Sequence, residues 1–337
     1  MSVTAVNLDD RENLVLAAKM THNQEIIDVA EVLNETNDVV NDATVLRAND
    51  ITSHVVSRRT SLPTASWVKV GNGWSATVGR LNQVRETMGM LKGRYLCPQD
   101  VMDLQPDPAK YRTQQERPHI EGMGQEVANT LMGNWSAGSL TSDPPEEFAG
   151  LSLRYPSLST AGSSYVLNNG NTTGNDKTSI WFVQWGAGLV YLIYPRNSNV
   201  GGLKKEVKPL TFTAGDNVTT TQGNQLWAHI TEFAWNTGLC IEDTRSVKRL
   251  CNIDSVSGST YTLNEDKIIQ IRNNFKTSGT IYMYCNETVF TQLQILAKDK
   301  QNVHYPPNMP FGSPQMYFLD MPVRRCDAIT NVEGVLT

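Results

Sequence analysis

A chain of 337 residues, 39% hydrophobic and 19% charged, is long enough to bury a large core, and a size prior of about 150 residues per domain points to two lobes. Its five cysteines, Cys97, Cys240, Cys251, Cys285 and Cys326, are odd in number, far apart and never spaced as CxxC, which argues against a disulfide framework or a zinc knuckle. The net charge of −5 argues against a sequence-reading nucleic-acid binder.

The charge is segregated. Residues 1–50 hold ten acids against three bases, a net of −7, whereas residues 51–97 hold seven bases (Arg58, Arg59, Lys69, Arg80, Arg85, Lys92, Arg94) against the single acid Glu86, a net of +6. Adjacent blocks of this kind are either solvated faces or two halves of a contact. The first residues, MSVTAVNLDDRENLVLAAKM, lack a basic segment followed by an apolar run, and no stretch approaches the roughly 20 apolar residues of a membrane span. A cytosolic protein is expected, and the sequons at Asn34, Asn134, Asn171, Asn217 and Asn286 read as Asn-rich turns.

In chain order, Ile26, Ala30, Leu33 and Val40 have the spacing of a helix over 22–43 with an acidic outer face. From Ile51 the pattern changes to strands, SHVVSRRT and ASWVKV, a Gly-Asn-Gly turn at 71–73, and a polar strand ending GRYL. This predicts a long hairpin with too few apolar residues to bury both faces of a ribbon that is marginal alone in water, so it must lean on something else, plausibly another subunit. Asp107-Pro108 predicts an N-cap with proline at the first helical position, Pro118 an interruption or restart, and Gly133 the end, with Ile120, Met123, Val127 and Leu131 on the apolar face.

Residues 134–178 read as loop with little core. SIWFVQW and LVYLIYP around Gly186-Ala187-Gly188 predict a hairpin, followed by a strand in QLWAHITEFAW. A helix is expected from Asn264 to Lys276, with Ile268, Ile271 and Phe275 on one face. Another is expected after the capping residue Asn286, carrying Val289, Leu293 and Leu296, and the chain closes on the strand QMYFLDMPVRRCDAI.

No catalytic, cofactor-binding or metal-ligating residue set emerges. Gly170 to Thr178 has the wrong spacing for a phosphate loop and precedes a strand. His22, His54, His119, His229 and His304 are scattered, and a regular strand puts His229 and Glu232 on opposite faces. Glu146-Glu147 sits beside prolines in a loop, where solvated carboxylates are far commoner than a buried dyad. Trp181, Trp185, Tyr191 and Tyr194 read as sheet core or interface, since no basic cluster accompanies them for base stacking.

Read in order, EVLNETNDVVNDATVLRAND, RTSLPTASWVKVGNG, GNWSAGSLTSDPPEEFAGL (with Phe148, Gly150 and Leu151), TIYMYCNETVFTQLQILAKDK and MYFLDMPVRRCDAI resemble the major capsid proteins of tailed double-stranded DNA phages with the Hong Kong 97-like fold, especially those of short-tailed phages of the epsilon-fifteen kind. Asn286, Leu293, Pro322, Val323 and Asp327 carry the C-terminal part of the match, and Asp320-Met321 departs from it where many relatives have a glycine. The resemblance implies an α+β subunit with an N-terminal arm (1–50), an extended β-hairpin loop (51–100), a peripheral domain with a long spine helix (101–137 and 277–337) and an axial domain (138–276).

It also implies a non-enzymatic protein without cofactor, assembled in the host cytoplasm and resident in the virion capsid, whose hexamers and pentamers form an icosahedral shell around double-stranded DNA without sequence-specific contact. The implied partners are other copies of itself, a separate scaffolding protein, a portal and in some cases a decoration protein. Only about 50 residues precede the hairpin, which is why scaffolding is expected from a separate chain. Arg58, Arg59, Lys69, Arg80, Arg85, Lys92 and Arg94 are expected at an inter-subunit interface, with the acidic N-terminal segment as one receiver. The alternatives are a tail or decoration protein, which would be a minor virion band, or a carbohydrate-binding or hydrolytic β-protein suggested by the Trp- and Tyr-rich strands.

Overall fold

The computed structural model describes residues 21–22, 25–26, 37–133, 147–158, 165–170, 174–198, 201–214, 225–256, 262–299, 303–304 and 316–337. These form strands β1 (Thr21–His22) and β2 (Glu25–Ile26), helix α1 (Val39–Asp42), strands β3 (Val45–Arg47), β4 (Ser53–Ser61), β5 (Arg80–Thr87) and β6 (Gly89–Pro98), and helices α2 (Gln99–Asp103), α3 (Pro108–Met132) and α4 (Leu151–Arg154). There follow β7 (Val166–Asn168), β8 (Lys177–Val183), β9 (Val190–Tyr194), β10 (Lys204–Val207), β11 (Thr211–Ala214), β12 (Gln225–Ile241), β13 (Val247–Asp254), α5 (Glu265–Asn274), β14 (Tyr282–Cys285), α6 (Glu287–Asp299), β15 (Val303–His304), β16 (Tyr317–Phe318) and β17 (Met321–Arg325). None of the described helices is long and apolar enough to cross a membrane.

Contacts divide the chain into two compact units, one of residues 1–34, 90–126 and 202–235, the other of 35–89, 127–201 and 236–337. Residues 277–337 fall with 236–276 because β14 and β17 share one sheet with β8 and β13.

In the first unit, β10 and β11 both pair antiparallel with β12, which β6 also joins. Tyr95, Cys97, Val101, Met102, Tyr111, Met123 and Phe233 form the core. Asp107 caps α3 as its sequence predicts, its Oδ1 accepting from the N–H groups of Ala109 and Lys110 at 3.1 Å each. Pro118, expected to interrupt the helix, lies inside it. A proline costs one backbone hydrogen bond there, and buried Tyr111 and Met123 hold the helix on either side of it. Ile120, expected on the apolar face, is exposed. The polar residue Glu116 takes a buried position in this unit, accepting from Arg112 Nε at 3.0 Å, from Thr231 Oγ1 at 2.6 Å and from Lys205.

The second unit is built on a seven-stranded sheet in the order β15-β16-β17-β14-β8-β13-β7. Every residue of β8 is buried, and its side chains alternate between two cores as the two-residue period of a strand requires. Trp181 and Val183 enter one core with Leu131, Phe148, Leu151, Leu239 and Tyr284. Ile180 and Phe182 enter the other with Ile268, Ile271, Val289 and Leu293 of α5 and α6. Asn286 caps α6 as expected, accepting from Val289 N at 3.0 Å. Phe148, Leu151, Tyr155 and Val166 are core residues, so the 134–178 stretch contributes more to the interior than its turn-rich composition suggests.

Three further expectations fail for local reasons. β8 and β9 do not form a hairpin, because β8 pairs with β13 and β14 while β9 pairs with β3 and the end of β12. Gly186 and Gly188, at φ +157° and +80°, turn the chain from one set of strands to the other. The predicted 22–43 helix is a short antiparallel pair at Thr21–Ile26 and a single helical turn at Val39–Asp42, while its middle, 27–36, lies outside the described residues. Finally, Ala65–Val70 is not a strand. It stands in the tip of a hairpin with no described neighbour to complete a ladder.

Candidate assembly surface

β4 and β5 pair antiparallel from Ser53↔Thr87 to Ser61↔Arg80 as a sheet of their own. Residues 62–79 join them, with a turn in which Asn72 N donates to Lys69 O at 3.1 Å and Gly71 takes φ +91°. The hairpin changes character along its length. At the base Ser53, Val56 and Glu86 are buried, and Val56 packs with Ala48, Tyr191, Ile193 and Cys240. At the tip Leu62, Trp67, Val70, Trp74 and Val78 are exposed, Trp67 at 105% and Val70 at 106% of reference area. Single exposed apolar residues are common on protein surfaces, but here five large ones stand within one loop of residues 62–79.

The base is tied down by polar contacts. Asn49 pairs with the backbone of Val55 through both amide atoms, at 2.8 and 2.9 Å. Tyr191 Oη lies 3.0 Å from His54 Nε2 and donates to Glu242 at 3.2 Å. Burial holds the His54 imidazole below its ordinary 6.5, although Glu242 and Glu86 pull it upward. Glu86 receives Arg58 Nη2 at 3.0 Å and Arg154 through Nη1 and Nη2 at 2.9 and 2.8 Å, an ion triad at the foot of the hairpin.

The seven cations expected at an interface are therefore not equivalent. Arg58 is committed within its own chain, to Glu86 and to the carbonyl of Ile241. Arg59, Lys69, Arg80 and Arg85 are exposed on the hairpin and make no ion pair with described residues. Lys92 and Arg94 lie beyond the hairpin on β6, where Arg94 meets Glu232 at 2.9 Å. Sequence reasoning missed Glu86 and Arg154. The available signal was that Glu86 is the lone acid of a strongly basic block.

No cluster of His, Cys, Asp or Glu among the described residues is placed to hold a metal ion. All five cysteines are buried and unbridged.

The hairpin is thus a separate two-stranded ribbon with an exposed apolar tip, its base packed on β9 and the end of β12. The fold matches the structure of bacteriophage Epsilon15 with a TM-score of 0.71 at 24% identity, covering 99% of this chain and 100% of that one. The capsids of bacteriophage JBD30 (TM-score 0.44, 9% identity, 94% and 99% covered) and of a native GTA particle (0.45, 10%, 71% and 98%) are more distant. No curated protein matches. The fold is Hong Kong 97-like, and the chain is a virion structural protein of the phage shell. The profile of the major capsid protein GP7 family matches residues 21–337, and the chain belongs to that family.

Proposed function

We propose that this capsid protein joins its neighbours through the β4–β5 hairpin, whose tip lies across an adjacent copy in the hexamers and pentamers of the shell. The observation that supports this reading is the exposure of Trp67, Val70, Trp74 and Val78 on a loop that no described residue covers. Fully burying one large apolar side chain contributes about 1.5–3 kcal/mol, repeated at every copy of the contact. Arg59, Lys69, Arg80 and Arg85 add charge complementarity toward an acidic receiver, which aids encounter and register more than affinity. In this reading the protein has no catalytic activity, assembles in the host cytoplasm and encloses double-stranded DNA without reading its sequence. Its further partners are a scaffolding protein, a portal and, in some shells, a decoration protein.

The test is Trp67→Ser with Trp74→Ser, assayed for thermal unfolding of the subunit and for particle yield. Both side chains are exposed in the free chain, so the subunit should melt as wild type while shells fail to form. Shells at wild-type yield would refute the reading.

A further inference from the structure

A hairpin that joins copies loses less entropy on docking when its direction is already set, and the residues at its foot form a network between hairpin and body. Glu86 is 5% exposed, although it belongs to a strand whose other residues are mostly solvated. Its two oxygens are shared between an arginine of the hairpin, Arg58, and an arginine of the body, Arg154, which grips the carboxylate through two nitrogens. Each arginine is itself anchored on the end of β12, Arg58 to the carbonyl of Ile241 and Arg154 to that of Leu239 at 3.0 Å. Arg154 Nε also donates to Ala149 O at 3.0 Å. Beside this triad Gly238 lets the strands close up, since a Cβ there would stand 2.6 Å from Thr87 O. Cavities of about 540 and 520 Å³ border Arg58 and share Tyr165 and Thr244 in their walls. Val56 packs the other face of the base against Ala48, Tyr191, Ile193 and Cys240, whereas on the Arg58 side, beside these clefts, the ionic contacts hold the hairpin.

We propose that Glu86 is the positioning residue of the assembly hairpin, fixing through Arg154 and Arg58 the angle at which the tip is presented to the adjacent copy; this rests on the reading of the hairpin as the joining element. A carboxylate can accept from both guanidinium groups at once. A neutral amide offers one oxygen and turns its N–H₂ donors against arginine donors, so Glu86→Gln keeps the volume and breaks the grip.

The experiment is hydrogen exchange of the full-length Glu86→Gln subunit, followed by assembly and imaging of the product. Amides of Ser53–Ser61 and Arg80–Thr87 should exchange about ten-fold faster or more, the loss expected for a charge-assisted hydrogen bond. Amides of β8 should keep wild-type protection, and shells should form in reduced yield or with irregular curvature. Unchanged hairpin exchange would overturn the proposal, as would a loosened hairpin that still builds regular shells in full yield. An equal loss of protection in β8 would also overturn it, since Glu86 would then be a residue of the fold alone. Should Glu86→Gln not fold, Arg154→Lys keeps the charge but replaces the two-pronged grip by a single contact, and the same local loosening is expected. The tryptophan-tip variant separates the two readings. If it blocks assembly while Glu86→Gln assembles normally, the hairpin still joins copies and only the positioning role fails.

Discussion

Arg249 holds its guanidinium carbon 4.7 Å from the centre of the Trp181 ring while its Nη2 lies 3.1 Å from Glu333 Oε2, so a full positive charge is buried within the seven-stranded sheet. Arg249 Nε donates to Ser179 Oγ and Nη1 to Tyr155 O, both at 3.0 Å, which leaves the charge well solvated by protein. Breaking a buried pair from one side strands the other charge and costs about 3–5 kcal/mol, while replacing both partners by apolar groups can be near neutral. Glu333→Leu is therefore expected to destabilise the subunit by that amount in urea unfolding, and Arg249→Met with Glu333→Leu by much less. Equal losses in single and double variants would contradict this.

Asn252 has φ +60° and is buried, and its side chain accepts from Leu336 N at 2.9 Å and donates to Leu336 O at 3.0 Å. Glycine relieves the backbone but loses the clamp, and alanine loses both. Asn252→Ala should therefore be less stable than Asn252→Gly by about 1 kcal/mol, read as a difference in unfolding midpoint at constant m-value.

Two groups of the first unit make it acid-sensitive in different windows. His119 stacks on Phe233 at 5.8 Å, and burial holds its imidazole below the ordinary 6.5 despite the opposing pull of Glu116. A depressed histidine favours the neutral folded form, so its contribution is complete above 6.5 and is lost as pH falls from there toward the folded value. Burial pushes the Glu116 carboxyl up, but hydrogen bonds from Lys205, Thr231 and Arg112 outweigh it and hold the group below its ordinary 4.5. Its contribution is present above 4.5 and is lost as pH falls through the folded value. Unfolding midpoints measured from pH 8 to 3 should show both losses. Glu116→Gln should remove the lower one and leave the upper in place.

The buried thiols should be inert. Burial pushes Cys240 up to about 11 and Cys251 and Cys326 up to about 12, where little nucleophilic thiolate forms at neutral pH. Intact particles should resist alkylation and run identically on reducing and non-reducing gels, with all five cysteines labelled after denaturation. Rapid labelling of native particles would contradict this.

Reversing Arg58 and Arg59 together is the test that the sequence suggests, but Arg58→Glu would face Glu86 and so probe the fold instead of assembly. Arg59→Glu with Arg80→Glu avoids this, since both are exposed and make no ion pair with described residues. Exposed pairs contribute only about 0–1 kcal/mol each, so the expected result is wild-type melting with slower assembly at low salt. The gap should narrow as screening shortens from roughly 8 Å at physiological ionic strength.

What the sequence made legible was mostly local. Asp107 and Asn286 cap the helices they precede, because a side-chain acceptor beside an apolar period needs no distant partner to be recognised. The turn near Gly71 and the thin apolar content of the hairpin were readable for the same reason. Strand partners were not. β8 and β9 flank a glycine turn and still join different neighbours, since pairing is decided by strands distant in the chain, Val247 for Val183 and Gly238 for Ile193. Pro118 stays helical because packing outweighs its propensity. The basic block showed where charge accumulates, but composition cannot show that its lone acid binds two arginines, one of them 68 residues distant.

The central claim is that the hairpin tip joins copies of the subunit. Its most direct test replaces Leu62–Gly79 by an Asn-Gly turn linking Ser61 to Arg80, followed by sedimentation velocity and negative-stain imaging beside the full chain. The account predicts closed shells for the full chain, and free subunits or capsomers with an unchanged melting temperature for the shortened one. Regular shells from the shortened chain would contradict it.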